Sequence, residues 1–207
     1  HPIVYAESLK SEGAPTVLIY GHYDVQPAEP LDKWESDPFL PQVRDDNLYA
    51  RGTTDMKGQV AATIHAVEAI VRTTSLPINV KFLIEGEEEI GSPNLGKFIS
   101  DHKDLLTCDF ALNPDTGMVA PDLPTITYAL RGLAYFEIRI YGPKQDLHSG
   151  VFGGTVHNPG QALCELVAGM HDQNGRITLP GFYDQVRDLT EEERDEIAQL
   201  PKNEAWY

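Results

Sequence analysis

Seven side chains in this sequence have the types and settings needed to hold cations and move protons. His22 and Asp24 follow a short apolar run, directly after Gly21. Asp55 sits in Arg51-Gly52-Thr53-Thr54-Asp55-Met56-Lys57-Gly58. Glu87, Glu88 and Glu89 follow a second apolar run, and Asp115 closes Asn113-Pro114-Asp115. One imidazole with several carboxylates is a hard-to-borderline donor set suited to Zn or Mn. Singly, each has a plainer explanation. A histidine after a strand is commonly a hydrogen-bonded core residue, an aspartate at a helix start caps it, and a glutamate run is solvated. The coincidence is what argues for metal: carboxylates from four loops packed together repel one another unless a cation compensates them.

The elements around these residues bring them to one edge. Thr16-Val17-Leu18-Ile19-Tyr20 is a continuous apolar run ending at Gly21, as in a strand buried on both faces of a parallel sheet. Asn79 to Ile84 is a second run of this kind, ending at Glu85-Gly86. Between them Val60, Ile64, Val67 and Val71 recur at helical spacing, which predicts a helix over 58–72 with one buried face and Pro77 beyond its end. Strand, helix, strand reads as a βαβ crossover and hence an α/β sheet, where ligands collect at the carboxyl ends of the strands. The opening run, His1 to Ala6, is strand-like. Ser92-Pro93 predicts an N-cap and a helix to about His102, and Asp109 to Leu112 a further strand.

Beyond Pro124 the pattern changes. Phe136, Ile138 and Ile140 alternate with Glu137 and Arg139, which predicts a strand over 134–141 with one wet face. Asn158-Pro159 predicts a helix that buries Leu163, Leu166, Val167 and Met170. Thr190 with Glu193 has capping-box spacing and predicts another. The expected division is a metal-binding domain over 1–124, with a mixed, largely parallel sheet and flanking helices. The first part of an α+β lid or dimerisation domain would follow over 125–207.

The formal net charge of -16 argues against a phosphate-binding surface, so no nucleic-acid partner is expected. No apolar stretch approaches the roughly 18 residues that cross a bilayer, so no membrane association is expected either. Cys108 and Cys164 are too far apart in sequence for a redox pair or zinc knuckle and are expected to be free, buried thiols of a cytoplasmic protein.

Gly21-His22-Tyr23-Asp24-Val25, then Gly52-Thr53-Thr54-Asp55-Met56-Lys57-Gly58, then Glu85-Gly86-Glu87-Glu88-Glu89-Ile90-Gly91-Ser92, resemble the signature segments of the co-catalytic zinc peptidases. Arg131-Gly132 and Asp146-Leu147-His148-Ser149-Gly150 extend the match. Nearly the whole chain takes part, and the run is most similar to the carnosinase-like dipeptidase branch. The resemblance implies two divalent ions, Zn or Mn, and hydrolysis of the amide bond of a small peptide by a water held between them. It implies that His22 and Glu89 each hold one ion, that Asp55 bridges both and that Asp115 holds the second. Asp24 would orient His22, and Glu88 would be the general base. His148 would donate to the developing oxyanion, reaching the active site of a partner subunit in a homodimer formed through the second domain.

The family draws a last histidine ligand from near its carboxyl end, and neither His157 nor His171 fills that place. The chain also opens without Met, so it is expected to be a fragment, with a weak second metal position and little turnover alone. Two other functions fit less of the pattern. An N-acyl-amino-acid deacylase would use the same ligands with a different substrate pocket. A non-catalytic dimerisation or binding module would favour a replaced base, whereas Glu88 and Asp24 are both present.

Overall fold

The computed structural model describes residues 1–8 and 11–201. The chain forms two compact units, His1–Thr125 and Ile126–Tyr207.

The first unit is built on a four-stranded sheet ordered β1-β5-β2-β6, with β1 Val4–Ser8, β2 Thr16–His22, β5 Asn79–Glu85 and β6 Phe110–Leu112. β2 runs parallel to both β5 and β6, while β1 pairs antiparallel with β5. In register, Thr16 faces Asn79 and His22 faces Glu85, so the two central strands end level and deliver their loops to the same edge. The core lies along them: Ile19, Val80 and Leu83 are buried, as is Met56 in the turn ahead of α1 (Lys57–Thr73).

The βαβ unit expected from the apolar runs is present as β2, α1 and β5. Gly21 lets α1 lie close on β2, since a Cβ there would stand 2.6 Å from Val60 Cγ2. The buried stripe expected on α1 is only partly covered. Val60 and Val67 are half-buried, but Ile64 and Val71 are exposed, because within the first unit no described element covers that side of the helix.

Two polar groups lock the sheet to its connections. Asn79 exchanges hydrogen bonds with the backbone of Ser11 and donates to the Ala14 carbonyl, fastening the β1–β2 turn. Lys81, 6% exposed, donates to the Leu105 and Thr107 carbonyls at the end of α3 (Lys103–Leu106). Its charge thereby meets the negative end of that helical turn.

Between β2 and α1 lies a hairpin with no counterpart in the sequence reading, β3 Gln42–Arg44 against β4 Asn47–Tyr49. Asp45 and Asp46 both have positive φ, at 47° and 61°, as a two-residue turn of this hand requires.

Ser92 does not cap a helix. Its backbone is left-handed, its hydroxyl donates to Glu85 Oε1 at 2.8 Å, and α2 starts later, at Leu95–Asp101 after Asn94.

In the second unit α4 is Ser149–Phe152, α5 Pro159–Ala168 and α6 Glu191–Gln199. Asn158 caps α5, and Thr190 with Glu193 makes the expected capping box on α6. The strand expected over 134–141 is absent: a strand exists through ladder bonds, and among the described residues none pairs with this segment. The face of α5 expected to be buried is open, with Leu163, Leu166 and Val167 exposed and Met170 half-buried. Both cysteines are free, but neither is buried. Cys108 lies half-buried beside the edge strand β6, and Cys164 is exposed on α5, a helix with no buried residue.

Candidate metal centre

His22, the last residue of β2, is fully buried. Its backbone N–H points at Met56 Sδ, 3.3 Å away, so the turn before α1 packs directly beneath the ring. Nδ1 lies 3.2 Å from the Asp24 carbonyl and 3.3 Å from Asp24 Oδ1. Both neighbours accept hydrogen bonds, so this nitrogen carries the proton. Nε2 then faces three carboxylates from three separate loops, with Asp55 Oδ1 at 3.1 Å, Asp115 Oδ2 at 3.7 Å and Glu88 Oε2 at 3.9 Å.

His22, Asp55 and Asp115 each offer a ligand atom within 4.8 Å of the others. The chain places them there by simple means. Asp55 closes a turn that Gly58 makes possible, since a Cβ on Gly58 would stand 2.2 Å from the Thr53 carbonyl oxygen. Asp115 follows β6, where its N–H donates to Asn113 Oδ1 at 3.1 Å.

The charges are under strain. Burial raises the pKa of Glu88, and Glu89, Asp115 and Asp55 push it up further against the opposing pull of His22. Asp115 is raised by burial and then by Asp55 and Glu89. For His22 burial favours the neutral ring, but the Asp24 carbonyl with Glu88, Asp115 and Asp24 outweighs it and raises the pKa. A divalent ion among these groups reverses each effect, and the donor set fits one: an imidazole nitrogen and hard carboxylate oxygens converging from separate loops.

The remaining expected residues divide. Asp24 stands behind His22 and also accepts the backbone N–H of Glu88 at 3.3 Å and of Glu89 at 3.0 Å. Glu89 is outside the tight group, its carboxylate held by Gln26. Glu89 and Asp55 both line a cavity of about 220 Å³ shared with Gln26, Trp34 and Arg51. Asp55 is therefore common to two places: the group with His22 and Asp115, and the cavity with Glu89. The geometry sets Asp115 with His22, whereas the resemblance had assigned it to the other ion.

His148 belongs to the second unit, where it caps α4 and accepts the Gly150 N–H at Nδ1, 3.1 Å away. With Nδ1 accepting, the neutral ring carries its proton on Nε2 and presents a donor.

Sequence reasoning missed Gln26 and the Tyr20–Glu85–Ser92 cluster. Glu85 is buried and accepts from the Tyr20 hydroxyl at 2.6 Å as well as from Ser92. Burial and this carboxylate push the Tyr20 phenol far above its ordinary value. The only signal was that Glu85 ends a buried strand, which pattern reading treats as a boundary.

An α/β sheet whose strand ends gather an imidazole and carboxylates with perturbed protonation has the chemistry of a metal-binding site. The chain belongs to peptidase family M20/M25/M40, whose family model matches residues 18–201. It is 42% identical to the human (Homo sapiens) Beta-Ala-His dipeptidase over 195 residues, covering 93% of this chain and 38% of that protein. It is 41% identical to a Cys-Gly metallodipeptidase of Schizosaccharomyces pombe, over 91% of this chain and 40% of the relative. The chain thus spans about two fifths of the length of these curated relatives. Among solved structures, an M20 family metallo-carboxypeptidase from Sulfolobus solfataricus aligns with a TM-score of 0.73 at 34% identity, covering 98% of this chain and 46% of that one. Human carnosine dipeptidase 1 aligns at 0.67 and 36% identity, covering 100% and 44%.

Proposed function

We propose that the protein is a two-metal dipeptidase that hydrolyses the amide bond of a small peptide, with residues 1–124 as its metal domain. The observation that carries this is the setting of His22: a fully buried ring whose Nε2 faces carboxylates from three loops. Carboxylates gathered about one buried ring repel one another without a cation and are stabilised by one. His22, Asp55 and Asp115 hold one divalent ion, and Asp55 with Glu89 holds the other; Zn or Mn suits these donors. When bound, such ions act as Lewis acids that polarise a carbonyl and acidify water.

The protein side chains do the rest. Asp24 fixes the His22 tautomer and ring plane from behind, which raises the basicity of Nε2. Glu88, 3.9 Å from that nitrogen, accepts a proton from the attacking water and returns it to the leaving amine. His148, with Nδ1 occupied by Gly150, has Nε2–H available as a donor to developing negative charge.

Relatives named for β-Ala-His and Cys-Gly support a dipeptide substrate. The second unit serves as lid and dimerisation domain, and the protein is a homodimer. Ile126, Leu133 and Tyr135 are 90%, 91% and 96% exposed, an apolar run that a monomer surface rarely carries. Sedimentation of the intact protein tests this. Among the described residues no helix is long and apolar enough to cross a membrane. The two unpaired thiols suit a reducing compartment, so we place the protein in the cytoplasm, which cell fractionation tests.

The decisive experiment is Glu88→Gln in the intact protein, assayed on dipeptides and N-acyl amino acids with metal content measured in parallel. Hydrolysis should fall about 10²–10⁴-fold while metal content is unchanged. Full activity in the variant, or hydrolysis of the acyl amino acids alone, would exclude this reading.

A further inference from the structure

We propose that Gln26 is the positioning residue for Glu89 and thereby sets the affinity of one of the two metal positions, an inference that rests on the two-metal reading above. Gln26 grips Glu89 from two directions. Its backbone N–H donates to Oε1 at 3.1 Å, and its side-chain amide donates to Oε2 at 2.7 Å. The same amide nitrogen also reaches the Glu89 carbonyl at 3.3 Å. Two residues earlier, Asp24 accepts the N–H groups of Glu88 and Glu89, so one short loop fixes both the backbone and the carboxylate of that turn.

The chemistry of this grip matters. A glutamate on a short 3-10 turn, Glu88–Ile90, would otherwise sample several rotamers, and a ligand that must be immobilised at the moment of binding binds more weakly. Each carboxylate oxygen has two lone pairs, so one donor per oxygen leaves the other pair free for a cation. The donor is neutral. A lysine in its place would hold Glu89 equally well but cancel the charge the ion needs.

The space fits as well. Gln26, Glu89 and Asp55 line the cavity of about 220 Å³, and at roughly 30 Å³ per water it admits an ion with part of its hydration shell. The other position, made by His22, Asp55 and Asp115, includes no atom of Gln26 or Glu89. The effect of Gln26 is therefore selective for one ion.

The test uses the intact apo-protein titrated with Zn²⁺ in competition with a chromophoric chelator, and compares Gln26→Met, Gln26→Glu and Asp115→Asn. Methionine keeps the length and the backbone N–H but removes the amide, and glutamate sets a second negative charge against Glu89. In Gln26→Met one of the two equivalents should weaken about 10–100-fold and the other hold its affinity. Gln26→Glu should weaken that same equivalent further. Asp115→Asn should weaken the opposite one. Melting of the apo-protein should not change in Gln26→Met, because the side chain is exposed. Equal weakening of both equivalents, no weakening, or a matching drop in apo-protein melting would overturn the proposal with the two-metal reading intact. A wild-type protein that takes up a single ion would overturn both.

Discussion

With oxygen acceptors at both ring nitrogens, His22 without a metal is driven toward the imidazolium. Burial alone would lower its pKa, but the Asp24 carbonyl and the surrounding carboxylates win and raise it above the ordinary 6.5. A cation must displace that proton from Nε2, so metal binding and proton release are linked. The sign follows. Below the raised pKa of the folded ring, affinity should climb about tenfold per pH unit as one proton is released, and above it the dependence should flatten. Asp115, a proposed ligand, is raised too, so toward acid pH the slope should steepen as its proton also has to leave. Calorimetric titration with Zn²⁺ between pH 5 and pH 8, in buffers of different ionisation enthalpy, reads both slope and proton count. A flat affinity with no proton release would mean that Nε2 is not a ligand. At this scale the ligand types were legible in the sequence, because His22 follows Gly21, Asp115 follows Pro114 and Asp55 lies in the loop between Gly52 and Gly58. Their partition was not: that Asp115 sides with His22 depends on β6 lying next to β2, a pairing no local spacing reveals. Gln26 was illegible for a related reason, since its partner lies 63 residues away.

Among the elements, the turn that carries Asp55 is the most tightly constrained. In a free helix Gly58→Ala would stabilise by up to about 1 kcal/mol. Here the new methyl would stand 2.2 Å from the Thr53 carbonyl, a backbone atom that cannot swing aside as a side chain can. Overpacking of this kind costs about 1–3 kcal/mol, so it outweighs the propensity gain. Gly58→Ala should therefore lower stability in urea by about 1–2 kcal/mol and, by moving Asp55, weaken both proposed metal positions. Gly21→Ala meets side chains rather than backbone, Val60 at 2.6 Å and Met56 at 3.5 Å, and should leave metal affinity closer to wild type. A Gly58→Ala protein more stable than wild type would show that the turn relaxes freely. The contrast explains what was readable among the elements. β2, β5 and α1 are long, and their apolar patterns are strong enough to read. β3 and β4 have three residues each, all but half-buried Arg44 exposed, and declare themselves only in the Asp45-Asp46 turn. Ser92-Pro93 mimics a cap, but buried Glu85 needs the Ser92 hydroxyl more than the helix does. The alternation over 134–141 is a property of the side chains alone, and a strand needs a neighbour.

For the whole molecule, the question is how far the metals contribute to folding. All four proposed ligands, His22, Asp55, Glu89 and Asp115, lie within His1–Thr125, and none lies in Ile126–Tyr207. Ions that bind only the folded form stabilise it by mass action, by about 2.7 kcal/mol at a hundredfold excess over the dissociation constant. In this protein the gain is augmented because the apo centre is self-repelling, with carboxylates pressed toward protonation by burial and by one another. Chelation should therefore lower the unfolding temperature of the first unit by several degrees and leave the second unit where it was. Calorimetry of the intact protein with and without chelator, paired with limited proteolysis to assign each transition, separates the two. If both units shift together, their folding is coupled and the metals stabilise the pair; if neither shifts, the acidic strand ends do not hold ions. The second outcome would remove the basis for the proposed chemistry, because without cations the position of buried His22 among three carboxylates has no compensating charge beyond its own proton.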